Sequence, residues 1–123
     1  MKYKFDKMYY NLTRILTRQN VYEVKFMLRA SQSFEVMDIL GPFPKKAGNG
    51  FLMPTCDPDT SFSYTIRINE TLKNEAKHNF QLVVLYINNF NQRFLRIFNY
   101  TLVSTTDISN IIALTHNIRQ RLP

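Results

Sequence analysis

Cysteine is nearly absent. Cys56 is the only one in 123 residues, which excludes a disulfide framework within the chain and any cysteine-based zinc site and favours a reducing compartment. Long apolar runs are missing as well. No stretch approaches the ~18 residues that a membrane-spanning helix needs, and Met1-Lys2-Tyr3-Lys4-Phe5-Asp6 lacks the apolar segment of a secretory signal. Acidic side chains are few, nine against 16 Lys and Arg, for a formal net charge of +7. The length accommodates one domain and leaves no room for a separate catalytic one. With 45% hydrophobic and 20% charged residues, the composition excludes a disordered charged tail. A cytosolic or nuclear setting is expected.

Catalytic groups are equally sparse. His78 and His116 are the only histidines; each lies apart from Cys56 and from any carboxylate cluster, so a three- or four-ligand metal site has no basis, and both are expected at the solvent surface. Cys56 precedes Asp57, a neighbour that does not favour a thiolate, and reads as an ordinary loop cysteine. Asp57 and Asp59 begin like a calcium loop, but the glycine and closing glutamate do not follow in register, leaving a turn-forming Asp-Pro-Asp. Gly48-Asn49-Gly50 lacks the Lys-Ser/Thr of a phosphate loop. No enzymatic constellation is present.

What the chain does have is alternation and charge. Phe5, Met8, Leu12, Ile15 and Leu16 recur at helical spacing, with Asp6 in the first turn and Arg18 near the end. At Val21 the period becomes two: Tyr22, Val24, Phe26 and Leu28 alternate with Glu23, Lys25 and Arg29, as in a half-buried strand. Further strands are predicted over 34–40, 62–68, 80–87 and 93–103. The 80–87 run is nearly continuous in apolar residues and is expected to be buried on both faces. Residues 41–61, punctuated by Pro42, Pro44, Gly48, Gly50, Pro54 and Pro58, read as an irregular connection. Asn88 to Gln92 reads as a hairpin loop in which Asn91 takes the left-handed conformation usual for glycine. Thr105 or Thr106 caps a closing helix striped by Ile108, Ile111, Ile112, Thr115 and Ile118.

The fold class is therefore mainly β: an antiparallel β-sandwich, complete or incomplete, with a helix at each end. The positive charge is concentrated in residues 1–50, with nine Lys/Arg against four Asp/Glu, and suits any polyanion. Seventeen Phe and Tyr, interleaved with Arg67, Arg93 and Arg96, leave open a second class of function, a β module that binds single-stranded nucleic acid.

Five segments in order resemble the COPII inner-coat Sec twenty-three/twenty-four family, closer to its cargo-selecting twenty-four branch. Leu12-Thr13-Arg14-Ile15-Leu16-Thr17-Arg18 resembles the family's Leu-Thr-Arg-Tyr-Leu-Thr-Arg. Glu23, Arg29 and Ser31 fall where the family has Glu-Ala-Val-Met-Arg-Val-Arg-x-Ser, and Gly41 and Phe43 match its Gly-x-Phe turn. Asp57-Pro58-Asp59 with Glu70 and Leu72 is similar to the segment that follows. Leu85-Tyr86 and Arg93-Phe94-Leu95-Arg96-Ile97 resemble its Leu-Tyr-Thr, glycine loop and Arg-Arg-Ile-Arg-Val, with Asn91 at the glycine and Phe94 in place of an arginine.

The resemblance implies three parts: residues 1–19 as the end of the family's trunk domain, 20–104 as its β-sandwich, and 105–123 as the start of its helical domain. It implies a non-enzymatic coat module in endoplasmic-reticulum-to-Golgi transport and cargo packaging, on the cytosolic face of the endoplasmic reticulum membrane. Implied partners are other coat subunits, cargo and an acidic membrane surface, with no nucleic acid expected. No cofactor is expected, because the family's zinc ribbon has no counterpart here. The family's sandwich also takes strands from upstream, so an exposed apolar edge open to pairing with another chain is expected. Candidate membrane- or partner-facing residues are Lys45, Lys46, Arg67, Arg93 and Arg96.

Overall fold

Alternating apolar residues make a strand that buries one face, and Val24, Phe26 and Leu28 do so here. Their strand, β1 (Val21–Ala30), is the middle of the main sheet. A computed structural model describes residues 2–43 and 45–113. In chain order the elements are α1 (Lys2–Thr17), β1, β2 (Phe34–Leu40), β3 (Lys45–Ala47), β4 (Gly50–Cys56), β5 (Ser63–Ile68), β6 (Lys77–Ile87) and β7 (Arg93–Val103); residues 108–113 are helical. A five-stranded sheet runs β3-β4-β1-β6-β7, and a two-stranded sheet pairs β2 with β5. All pairings are antiparallel. No helix is long and apolar enough to cross a membrane among the described residues.

The sheets meet through aromatic rings. Phe62, entering β5, packs on Phe26 at 4.7 Å and Phe51 at 4.9 Å, and Phe43 stacks on Phe51 at 4.4 Å. Phe34 of β2 sets its edge against Phe80 and His78, each at 5.0 Å. Thus β5 lies over β1 and β4, and β2 over β6. Ile39, Met53 and Val84 complete the core. Two strands cannot cover five, and β7 is exposed along its whole length.

Several expectations change. Residues 41–61 are not irregular throughout: they contain the β3–β4 hairpin, turned at Gly48 with φ of 59°. Gly50 is required because a Cβ there would lie 2.2 Å from the Phe26 carbonyl oxygen. The run at 80–87 is not buried on both faces; most of β6 is half-buried, since only one side of its sheet is packed against. Tyr22 is exposed whereas Val21 packs on the core. A bulge at Glu23, with φ of 49°, shifts the pleat by one residue.

His78 is buried rather than at the surface. It starts inside β6, with Nε2 3.2 Å from the Ser104 hydroxyl; His116 lies outside the described residues. Cys56 ends β4 and packs partly on the core instead of occupying a loop. Because α1 starts at Lys2, Asp6 falls beyond the first turn. The cap of the last helix is Asp107, whose Oδ1 accepts the Ser109 N–H at 3.0 Å, while Thr105 Oγ1 accepts the Asp107 N–H at 3.1 Å. The Ser109 hydroxyl and N–H hold the Asp107 carboxyl below its ordinary value. Thr115 and Ile118, expected on this helix, lie outside the described residues.

Candidate functional site

Arg14 lies in the last turn of α1 and Arg18 just past its end, where its N–H still donates to the Arg14 carbonyl at 3.1 Å; two aspartates flanking a proline point from one turn. These pairs meet. Arg14 Nη2 donates to Asp59 Oδ1 at 2.7 Å, Arg18 Nη1 donates to Asp59 Oδ2 at 3.0 Å, and Arg18 Nη2 lies 2.8 Å from Asp57 Oδ2. The turn is prepared for them: Asp57 Oδ1 accepts the Asp59 N–H at 2.9 Å, and the Thr60 N–H donates to the Asp57 carbonyl at 3.1 Å. A four-residue ionic clamp thus ties α1 to the sandwich. The apolar side chains of α1, including Phe5, Met8, Leu12 and Ile15, remain exposed. All four charged residues stand out in the sequence, but nothing local joins them. The signal was there, two cations four residues apart at a helix end and two carboxylates in one turn.

The second feature is the uncovered face of the five-stranded sheet. Register places Lys25, Met27 and Arg29 of β1 beside Leu52 of β4 and Leu85, Val83 and Gln81 of β6. Leu95 and Ile97 of β7 follow across Leu85 and Val83. The central residues line a groove of about 340 Å³. Its polar end, near Arg29, is built from Gln81 donating to Asn99 at 3.0 Å and Thr101 donating to Asn79 at 2.9 Å.

The five candidate cations do not converge. Arg67, on β5, gives its guanidinium to Glu35 at 2.5 Å. Arg93 lies 4.0 Å from Glu23 at one end of the open face. Arg96 stands opposite Val84, on the other side of β7. Lys45 and Lys46 stand in β3, at the far edge of the sheet from β7, roughly 19 Å away across four strand spacings; their side chains lie outside the described part. Phe94 stacks on Tyr86 at 5.6 Å, so its ring is already engaged within the sheet. No group of three or more His, Cys, Asp or Glu converges among the described residues.

Asn91 has φ of 60°, the left-handed conformation expected of it in this hairpin. Asn88 Oδ1 supports the turn by accepting the Phe90 and Gln92 N–H groups at 3.0 and 2.9 Å. The sequence profile of the "Sec23/Sec24 beta-sandwich domain" matches residues 21–105. The chain belongs to that family. Two Arabidopsis thaliana proteins, "Protein transport protein SEC24 B" and "Protein transport protein SEC24 A", are 28% identical over 105 residues and 24% identical over 106. These alignments cover 85% and 86% of this chain but 10% of each relative. The solved "human COPII-coat protein Sec24c" shares the fold, with a TM-score of 0.75 at 21% identity, over 85% of this chain and 14% of that one. The Sec23/Sec24 sandwich thus coincides with the strands described above, and α1 precedes the matched region.

Proposed function

We propose that this chain is a non-enzymatic structural module of a COPII-type vesicle coat. It acts in transport from the endoplasmic reticulum to the Golgi, at the cytosolic face of the reticulum membrane. The observation that carries this reading is the family match over residues 21–105, supported by the shared fold. The curated relatives are named for protein transport, and the solved one for the COPII coat. Its contribution is a rigid β scaffold that contacts other coat subunits and cargo.

The charge of +7 supports a further contact with acidic lipid. Each Lys or Arg near an anionic surface contributes on the order of 1 kcal/mol, so several together suffice for a weak association. The test is co-flotation of the purified chain with inner-coat subunits and synthetic vesicles, with and without acidic phospholipid. Recovery with the coat proteins, enhanced by acidic lipid and weakened by salt, is the expected result. Recovery indifferent to lipid charge and salt contradicts the membrane contact; no association with coat subunits contradicts the coat reading.

A further inference from the structure

A sheet normally buries at least one face against another layer, and a second, uncovered face is normally polar. Here the uncovered face of the main sheet is apolar through its middle. Met27, Leu95 and Ile97 are 45%, 60% and 52% exposed, and Leu52, Val83 and Leu85 extend the same patch. Contiguous exposed apolar surface rimmed by polar groups marks an interaction site.

The charges on this face are one-sided. Lys25 and Arg29 are exposed and neither meets a carboxylate within ion-pair distance among the described residues. The face's carboxylate, Glu23, lies beside Arg93 at the far end. Along β1, Lys25 and Arg29 are four residues apart, roughly 13 Å. Two turns of an α-helix advance about 11 Å, so carboxylates seven or eight residues apart on a docked helix reach both cations.

We propose that the uncovered face of the five-stranded sheet docks an acidic amphipathic helix of another protein. Its apolar stripe lies along Met27, Val83, Leu85 and Leu95, and its acidic flank faces Lys25 and Arg29. The chain's own α1 does not fit this description: its sequence carries four cations, Lys2, Lys4, Lys7 and Arg14, against one carboxylate, Asp6. A second copy docking through α1 would set cation against cation. The partner is therefore acidic.

The experiment is fluorescence anisotropy of the purified chain with two synthetic 18-residue helical peptides. They carry the same leucine stripe, flanked by Glu in one and by Lys in the other. The Glu peptide is expected to bind at least tenfold tighter, with affinity falling as salt rises. The double variant Lys25→Glu/Arg29→Glu is expected to reverse that preference. Leu95→Lys should weaken both peptides, and Lys73→Glu, away from this face, should leave the preference unchanged. Circular dichroism of each variant confirms that the fold is retained. Equal binding of the two peptides, or a preference that survives the double reversal, overturns the proposal. So does self-association that Leu95→Lys abolishes, which assigns the face to a second copy. Acidic vesicles displacing the Glu peptide, with the double variant losing vesicle binding, would assign it to a membrane and overturn it too.

Discussion

Asp59 receives Arg14 and Arg18 while Asp57 receives Arg18 alone, so of the two aspartates Asp59 carries more of the tie to α1. Exposed ion pairs contribute ~0.2–1 kcal/mol each, and Asp59→Ala, which removes two, should therefore cost at most ~2 kcal/mol of global stability. Its local effect should be larger. Amide exchange in residues 4–17 should accelerate severalfold while the β1 and β6 amides stay protected, and unchanged exchange in α1 would show that the clamp does not hold the helix. Tyr64 poses a different question. Burial pushes its hydroxyl up to about 12 from 10.0, and the buried oxygen finds no hydrogen-bond partner. A group whose folded pKa is raised contributes its stability below the unfolded pKa and loses it as pH rises through the folded one. Wild-type stability should thus fall relative to Tyr64→Phe between pH ~10 and ~12. At pH 7 the variant should be equal or slightly more stable, because it removes an unpaired polar atom. Urea midpoints of both proteins at pH 7 and across the alkaline range check both statements.

At the scale of elements, β1 was legible from its alternation and the 88–92 hairpin from its asparagines, because each depends on local backbone preference. The β3–β4 hairpin was hidden. Gly48, Gly50 and Pro54 read as loop punctuation, yet Gly50 is dictated by the Phe26 carbonyl of a neighbouring strand, a contact no local pattern records. Likewise β6 has the composition of a strand buried twice, and only the absence of a layer over one face leaves it half-buried. His78 was misplaced because its partners, Phe34 and Ser104, are distant in sequence. The candidate site was legible only as separate residues: Arg14, Arg18, Asp57 and Asp59 stood out, but their meeting required the fold. Two substitutions test the packing. Phe51→Ala removes the ring shared by Phe26, Phe43 and Phe62 and should cost ~3–5 kcal/mol. Gly50→Ala should destabilise by ~1–3 kcal/mol through forced separation of β1 and β4, whereas Ile97→Lys on exposed β7 should change little. Denaturant unfolding of the three variants orders these effects, and an equal loss for Ile97→Lys would mean that β7 is not an open strand.

Over the whole molecule, the unequal sheets explain why so many large apolar residues remain exposed. The core lies where β2 and β5 cover β1, β4 and β6, and the surface beyond them is left for other contacts. The matched segment is about a tenth of the length of the two Arabidopsis relatives. The clamp on α1 and the open sheet face are the two features that set this module's outer surface apart from its core. The central claim is that the module works within a COPII-type coat, and its most direct test is the position of a fluorescently tagged chain in living cells. Puncta coincident with endogenous coat sites on the endoplasmic reticulum are the expected result; a signal spread evenly through cytosol and nucleus, with no enrichment at those sites, would contradict it.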